Sequence, residues 1–367
     1  MKEAVMAPSD KDMDWLYRKE EPEPTAVLRP QPPPPGKPPR GPRKRRGRSR
    51  RPRLLRTLTV LLLAWLAFLI GAPAYAWSAT TSVDTTPAGQ RPPEQPGTTV
   101  LLVGSDARDD LTAEERSRLG TGSTEGRRTD TMMLLHTPET GEPVLLSLPR
   151  DSLVDIPGRN RNKLNAAYAF GGAPLLVETI EQDTGIRIDG YLEIGFLGIV
   201  DVVDAVGGIE VCPTFDIDDR DSHLTLSEGC QQVDGVTALG YVRMRKADPN
   251  GDLGRMERQR EVIAAIGKEV LSPLTLVNPV RYWRLNAAAA RSLTRGDETG
   301  ITMMPTVGLG FMSVMSGRGI SMTVPISDAN AQVDGVGSVV RWDEESSRAV
   351  FSAIAAGDTT SLEKYRR

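Results

Sequence analysis

The sequence has very few of the residues on which common catalytic and metal-binding sites depend. Among 367 residues there are two cysteines and two histidines. There is no G-x-S-x-G elbow, no phosphate-binding P-loop and no H-E-x-x-H motif. These absences argue against the common serine hydrolases, P-loop nucleotide hydrolases and zinc peptidases. One histidine, His136, follows an apolar run, and we interpret it as structural.

The two cysteines, Cys212 and Cys230, leave two interpretations open. They are either free buried thiols or a single disulfide that closes a polar loop. If this part of the chain is exported, the disulfide is favoured because that compartment is oxidising. Closing such a loop would then stabilise the fold by roughly 3 kcal/mol.

Positive and negative charges are separated along the chain. Residues 1–56 hold 16 Lys and Arg against 7 Asp and Glu, and the remaining residues hold 29 against 41. The first segment also contains the proline tract 30–35, so it predicts a disordered arm. The acidic remainder argues against nucleic acid as its partner, because a phosphate backbone needs a basic surface. We interpret the basic arm as the flank of a membrane span and not as a nucleic-acid-binding tail.

The only long apolar run, Leu58–Trp77, contains no charged residue and is long enough to cross a bilayer. The basic flank precedes it, so the positive-inside rule predicts a cytoplasmic N-terminus and an extracellular body. A cleaved signal peptide is the alternative, since Ala72-Pro73-Ala74 offers small residues for cleavage. The run is longer than a usual signal-peptide core, which favours an uncleaved anchor and contact with membrane lipid.

Composition divides the chain into five segments. They are a cytoplasmic arm at 1–56, a transmembrane helix at 57–77, a Ser/Thr/Pro-rich linker at 78–97, a folded domain at 98–358 and a tail at 359–367. In the folded domain, apolar strands alternate with helical patterns, which predicts a layered α/β fold. The predicted strands are Thr99–Gly104, Thr131–Leu135 and Val144–Leu148, and the predicted helices are Leu164–Phe170, Pro174–Thr184 and Arg255–Leu271.

Aspartate and arginine residues lie at the ends of these predicted strands. Asp106 follows the first strand, Arg128 and Asp130 border the second, and Arg150 follows the third. Because open α/β sheets bind ligands beyond their strand ends, we expect these groups to converge. Arginine forks match phosphate oxygens, and Mg²⁺ prefers carboxylate ligands and phosphate. The set therefore suits a pyrophosphate with a magnesium ion, although each residue alone is also compatible with a structural role.

A second basic group follows later in the chain. Arg243 and Arg245 would share one face of an extended segment, and Arg255 and Gln259 would share one face of a helix. These residues add donors for the same anionic ligand.

The motifs LLVGSDAR, RRTDTMMLL, LSLPRD, KLNAAYAFGG, VDAVGGIEV and ALGYVRMRKADPNGDLGRMERQR occur in this order. In that order they resemble the successive sequence blocks of the LytR–CpsA–Psr family, over residues 98–358. The resemblance implies a layered α/β/α domain with a central mixed sheet. It also implies transfer of a glycopolymer, such as a teichoic acid, from a polyprenyl-pyrophosphate carrier to peptidoglycan.

The resemblance further implies roles for individual residues. Asp106, Asp130, Arg128 and Arg150 would form the catalytic centre, in which the two aspartates hold Mg²⁺. The pyrophosphate would contact a set of further side chains: Lys163, Arg243, Arg245, Arg255 and Gln259. The segment Leu111–Gly126 is longer than expected for many relatives, and it is either a lid or a surface loop.

Three alternatives to this transferase stay open from the sequence. One is a non-catalytic protein that binds and tethers the lipid-linked polymer. Another is a pyrophosphatase, because water and a sugar hydroxyl use the same electrostatic site. A third is an envelope-related transcriptional attenuator, which the acidic body and the predicted topology disfavour.

Overall fold

The computed structural model describes residue 36 and residues 51–105, 129–219, 224–244 and 252–366. For residues 51–53, 130, 196, 252, 253, 255 and 256 it describes the backbone but not the side chains. The chain divides into two units, Met1–Thr57 and Leu58–Arg367, and everything described below lies in the second, except the start of the first helix.

The strands of the described residues are β1 (Thr81–Val83), β2 (Thr98–Ser105), β3 (Thr129–Thr137), β4 (Val144–Leu148), β5 (Leu153–Val154), β6 (Asn162–Lys163), β7 (Gly190–Gly195), β8 (Ile209–Val211), β9 (Ile217–Asp219), β10 (Leu224–Leu226), β11 (Gln231–Val233), β12 (Leu293–Gly296), β13 (Ile320–Thr323), β14 (Ile326–Val333) and β15 (Gly337–Trp342). The helices are α1 (Arg51–Ala79), α2 (Leu164–Thr184), α3 (Phe196–Ala205), α4 (Gly235–Arg243), α5 (Asp252–Val270), α6 (Pro273–Val277), α7 (Pro279–Ser292), α8 (Met304–Met315) and α9 (Glu344–Ala355).

A mixed seven-stranded sheet, in the order β1-β12-β7-β2-β3-β4-β13, forms the centre of the described body. β3 runs antiparallel to both β2 and β4. β7 runs parallel to β2, and β13 runs parallel to β4. As a result, β2, β4, β7 and β13 all finish at the edge of the sheet where β3 begins. We call this edge the site edge, and its strand ends are Ser105, Thr129, Leu148, Gly195 and Thr323.

Side chains of β3 alternate between two faces of this sheet, as the two-residue repeat of a strand requires. Met132 and Leu134 pack in the core that includes α2 and α9. Met133 and Leu135 pack on the opposite face, against α8. A further core beneath α3, α4 and α5 encloses the small strands β8 to β11. The fold class predicted from the sequence, a layered α/β/α domain with a central mixed sheet, is thereby confirmed.

Local chemistry accounts for the element boundaries. β4 is bounded by Pro143 and Pro149, which cannot donate to a sheet ladder. α2 contains both predicted helices, Leu164–Phe170 and Pro174–Thr184, joined across a kink at Gly172. The kink has φ 67° and ψ −155° at Gly172, a backbone conformation that favours glycine.

The predicted linker at 78–97 contributes to the folded body. β1 pairs in parallel with β12, which adds an outer strand to the central sheet. Arg91 forms an ion pair with Glu181, whose side chain is 1% exposed, at 2.8 Å. The body therefore begins before residue 98. It also continues past residue 358, because Leu362 is buried in the α2 face of the core.

Candidate functional site

Asp151 lies between two basic side chains just beyond the end of β4. Its carboxylate accepts a hydrogen bond from Lys163 Nζ at 2.9 Å and one from Arg150 Nε at 3.3 Å. Burial alone would raise the pKa of Asp151, but the Lys163 hydrogen bond and the Arg150 charge together hold the pKa below its ordinary value. The carboxylate is therefore ionised at neutral pH and fixes both cations at the site edge.

Backbone hydrogen bonds hold this cluster in place. The amide of Leu164 donates to Ser152 O at 2.8 Å, and the amide of Asn165 donates to Arg150 O at 3.0 Å. These bonds join the turn after β4 to the start of α2, where Lys163 is the N-cap residue. Lys163 and Arg150 come from sequence blocks separated by more than ten residues, and the fold brings them to one carboxylate.

Helix α5 brings polar side chains to the same edge. Thr131 Oγ1 donates to Gln259 Oε1 at 3.2 Å, which places Gln259 beside the beginning of β3. The next residue, Arg260, donates from Nη2 to Thr323 Oγ1 at 3.0 Å, at the end of β13. Gln259 was predicted from its helical spacing, whereas Arg260 was not, although it stands in the same RMERQR block.

Arg243 is held near α5 by a buried arginine that sequence reasoning missed. The guanidinium of Arg258 donates to Tyr241 O at 3.0 Å and to Met244 O at 2.7 Å. These two carbonyls lie on either side of Arg243 in sequence, so α5 fixes the end of α4. Arg258 is 6% exposed, and an arginine within a highly charged helix gives no sequence signal of burial.

The predicted extended conformation of the Arg243 segment is wrong. Residues 241–243 form the last turn of α4, which begins after the N-cap Asp234, whose side chain accepts from Thr237 N at 2.9 Å. An N-cap of this type stabilises the start of a helix, and the helix that it starts includes residues for which the alternating pattern Tyr-Val-Arg-Met-Arg predicted an extended conformation. Arg243 in the last turn also interacts favourably with the helix dipole.

Glu193 on β7 is a further carboxylate close to the site edge, and sequence reasoning missed it. It accepts hydrogen bonds from Tyr168 Oη at 2.8 Å and from Tyr191 Oη at 2.5 Å. Burial, reinforced by the Glu193 charge, raises the pKa of Tyr191 above its ordinary value, so its phenol stays a donor. The tyrosines fix the orientation of this carboxylate two residues before the end of β7.

Several predicted site residues lie outside the part of the chain that the structure describes. Asp106, Arg128 and Arg245 are among them, as is the segment Leu111–Gly126. For Asp130 and Arg255 the backbone is described, in β3 and in α5 respectively, but the side chains are not. Ser105 of β2 pairs with Thr129 of β3 at the site edge. Asp106 directly follows Ser105 in the sequence, and Arg128 directly precedes Thr129.

Cys212 and Cys230 form a disulfide, and the two half-cystines are 18 residues apart in sequence. The disulfide lies beside the antiparallel pair β8–β11. The amide of Cys212 donates to Glu261 Oε1 at 2.7 Å, and Tyr241 Oη donates to the other oxygen of that carboxylate at 2.9 Å. Glu261 on α5 thus connects the disulfide loop to α4.

This arrangement defines a mixed α/β protein in which Arg150, Asp151 and Lys163 form a charged cluster at one edge of the central sheet. The family model for the LytR_cpsA_psr family matches residues 76–350. The chain therefore belongs to the LytR–CpsA–Psr family.

Individual relatives agree with this assignment. The chain is 46% identical over 281 residues to the probable cell wall biosynthesis protein LcpB of Corynebacterium glutamicum, a match that covers 76% of this chain and 66% of LcpB. It is 43% identical over 174 residues to the polyisoprenyl-teichoic acid–peptidoglycan teichoic acid transferase TagU of Enterococcus faecalis, covering 47% and 54% of the two chains. The chain spans about half to two thirds of the length of these curated relatives.

Solved structures share the fold. Protein gbs0355 from Streptococcus agalactiae superposes with a TM-score of 0.57 at 28% identity, covering 71% of this chain and 88% of that one. The LytR-Csp2A-Psr enzyme from Actinomyces oris has a TM-score of 0.57 at 21% identity, covering 75% and 96%.

Proposed function

We propose that this protein transfers a glycopolymer from a polyprenyl-pyrophosphate carrier to peptidoglycan and forms a phosphodiester link. The observation that carries the proposal is the cation cluster at the site edge, where Asp151 holds Arg150 and Lys163 next to the strand ends. The name of the similar TagU describes a transfer of teichoic acid to peptidoglycan. LcpB, the relative from Corynebacterium, is described as a probable cell wall biosynthesis protein.

In the proposed reaction, a hydroxyl of the acceptor sugar attacks the phosphorus that bears the glycopolymer. A new P–O bond forms, the bond to the bridging oxygen of the pyrophosphate breaks, and polyprenyl phosphate leaves. The hydroxyl proton passes to a base. Such transfer depends mainly on positioning and on neutralising phosphate charge. Arg150, Lys163 and Arg243 would bind the phosphate oxygens, and a guanidinium does so with a planar fork.

Asp106 and Asp130 would hold a magnesium ion. Two carboxylates suit this hard cation, which prefers oxygen ligands. Their places in the sequence support this proposal, because Asp106 directly follows Ser105 and Asp130 directly follows Thr129, which is the register partner of Ser105. When bound, the ion would neutralise charge on the pyrophosphate. Asp151 is committed to Lys163 and Arg150, so we do not assign it as a metal ligand.

The polyprenyl tail would lie on the sheet face between α5 and α8. Ile263, one helical turn after Gln259, packs there with Phe311 and Val307 of α8 against the buried Leu135. These three covering side chains are only partly buried. An isoprenoid chain is apolar throughout, so it would gain by replacing water along this face.

The helix α1 would anchor the protein in the membrane. Its residues Leu54–Ala79 are long and apolar enough for one span, with a mean hydropathy of 2.1. The basic residues that precede it favour a cytoplasmic N-terminus by the positive-inside rule. The disulfide between Cys212 and Cys230 agrees with an oxidising environment for the folded body.

Transfer can be tested with the full chain reconstituted in proteoliposomes that contain a lipid-linked donor, with peptidoglycan and Mg²⁺ added. We expect Arg150→Ala and Arg243→Ala each to lower the rate of phosphodiester formation by about 100-fold or more, since a lost charge-assisted contact to the transition state costs about 3 kcal/mol. Arg348→Ala is the matched control, because Arg348 is an exposed arginine on α9.

Three outcomes would contradict parts of this proposal. Full activity in both site variants would refute the assigned site. Tight donor binding with no product, at any Mg²⁺ concentration, would indicate the tethering protein instead. Release of phosphate products to water with no transfer to peptidoglycan would indicate a pyrophosphatase.

A further inference from the structure

A ten-residue segment, Leu271–Val280, connects α5 to α7 through the short helix α6 and contains no charged residue. We call this segment the tip. Its large apolar side chains are exposed: Val277 is 71% exposed, Val280 is 65% exposed and Leu274 is 61% exposed. Leu271 and Leu276 are exposed as well. A run of exposed apolar side chains without charge is unusual on a water-facing surface and marks a binding face.

Several backbone amides of the tip donate to acceptors within the tip or in the last turn of α5. Ser272 Oγ accepts from Thr275 N at 3.2 Å, and Asn278 Oδ1 accepts from Val280 N at 3.0 Å. Prolines stand at the first turns of both α6 and α7, where they remove amide donors that would need a partner. Such local pairing is what an apolar environment requires, because lipid offers no hydrogen bonds to the backbone.

The tip is continuous with the membrane helix through α7. The Tyr282 ring lies 5.7 Å from the Phe68 ring, and its hydroxyl donates to Leu69 O at 2.7 Å. Trp283 stacks on Tyr75 with a centroid distance of 5.6 Å. α1 leads into β1 and α7 leads into β12. Because β1 and β12 pair in parallel, the two helices enter the central sheet side by side and in the same direction.

These contacts fix the depth of the tip. Leu69 precedes Trp77, the end of the apolar run, by eight residues, which is about 12 Å of helix. If α1 spans the bilayer with Trp77 at the outer boundary of the hydrocarbon layer, Tyr282 would lie in the outer half of that layer, which is about 30 Å thick. Pro279 and Val280 precede Tyr282 on α7, so this end of the tip lies farther from β12 than Tyr282 does.

The charges around the tip fit a membrane interface. Glu269 is paired with Arg281 at 2.7 Å, so this acid does not stay uncompensated near the lipid. Lys268 and Arg284, on either side, are exposed. Long basic side chains extend from an apolar surface to lipid phosphates.

We propose that the tip inserts into the outer leaflet of the bilayer that α1 crosses, and so forms a second membrane contact of this protein. The inference rests on the proposed span and orientation of α1, and it does not require the transfer reaction. The tip and α1 together would hold the folded body at two points on the membrane and so fix its orientation.

The test measures depth with spin labels on the full chain in proteoliposomes, without reductant so that the native disulfide stays closed. Three variants each carry one added cysteine labelled with a nitroxide: Val277→Cys in the tip, Asp334→Cys as the water-exposed control and Leu62→Cys as the reference inside α1. Asp334 is exposed and lies in the turn between β14 and β15, which form a separate two-stranded sheet. Power saturation with oxygen and with a water-soluble nickel complex then reports the surroundings of each label.

We expect the Val277 label to collide with the nickel complex about fivefold less often than the Asp334 label, and more often with oxygen, because polar solutes are excluded from the acyl region. Nickel accessibility equal to that of Asp334, with Leu62 protected, would overturn the insertion of the tip and leave the span standing. Accessibility of both Val277 and Leu62 would refute the span itself. Protection from nickel without oxygen access, together with spin–spin broadening between labels, would show that a second copy covers the tip.

Discussion

The buried guanidinium of Arg258 connects α5 to the end of α4 in addition to the hydrogen bond between Tyr241 and Glu261, so its removal tests how the site is held. Arg258→Ala deletes two hydrogen bonds from a charged donor to carbonyl oxygens, at 3.0 Å and 2.7 Å. The acceptors belong to Tyr241 and Met244, which are 3% and 0% exposed. Bonds from charged groups contribute about 1.5–3 kcal/mol each, and buried acceptors without donors carry a further penalty. We expect unfolding free energy to fall by about 3–5 kcal/mol.

The measurement is denaturant unfolding of the full chain in detergent, followed by tryptophan fluorescence. Arg258→Lys keeps the charge but has no planar fork, so we expect it to recover about half of the loss. Arg348→Ala should stay within about 0.5 kcal/mol of the unchanged chain, as surface substitutions usually do. An Arg258→Ala chain as stable as that control would refute the assigned role of the guanidinium.

Activity supplies a second, independent measurement for the same residue. Arg258 acts as a positioning residue for Arg243, so Arg258→Ala should reduce transfer under conditions where the variant is still folded. The double variant Arg243→Ala with Arg258→Ala should then lose little more than Arg243→Ala alone, because both changes remove the same contact. If the losses of transfer activity in the two single variants add fully in the double variant, Arg258 does not act through Arg243.

The buried His136 and the partly buried Asp183 predict opposite dependences of stability on pH. Burial lowers the pKa of His136 to about 4. As pH drops from 6.5 to 4, the unfolded chain therefore binds a proton before the folded chain does, and the free energy of unfolding falls by up to about 3 kcal/mol. His136→Gln should abolish this loss, which is measured by comparing unfolding free energies at pH 7 and pH 4.5. Burial raises the pKa of Asp183 to about 6. The folded chain therefore holds this proton more tightly than the unfolded chain, and the stability that this gives is full below pH 3.8 and is lost as pH rises towards 6. Asp183→Asn should therefore stabilise the chain by roughly 1–2 kcal/mol at pH 7.5, after allowance for its partial exposure, and by nothing near pH 3.8. Equal stabilisation at both pH values would contradict the assigned pKa.

Local sequence signals predicted the elements that local chemistry controls. β4 has its predicted bounds, Val144–Leu148, because prolines stop it at both ends. α5 was predicted from Arg255 and begins three residues earlier, at Asp252. By contrast, β1 is a strand of three residues whose partner, β12, lies more than 200 residues further along the chain. A local sequence pattern cannot predict a pairing between strands so far apart. The Ser/Thr/Pro-rich composition around β1 is typical of a linker.

The candidate site was predictable as a set of residue types and only partly as a geometry. The strand-end rule placed Arg150 correctly, because the turn after β4 lies at the site edge. The bridge from Asp151 to Lys163 depends on how α2 begins, and this is a tertiary property. Arg258 shows the same limit more strongly. Its charge predicts exposure, and only the packing of α4 on α5 makes it the buried partner of two carbonyls.

Helix α5 connects the proposed catalytic edge to the proposed membrane contact. Gln259 lies at the site edge, and the tip begins directly after Val270. Eleven residues separate these two positions, which corresponds to about 16 Å along the helix axis. A lipid-linked pyrophosphate at the site edge would therefore be held about 16 Å from the start of the tip. Ile263 and the apolar surface of α8 lie between the two, so a polyprenyl chain could pass from the site to the acyl region against apolar side chains.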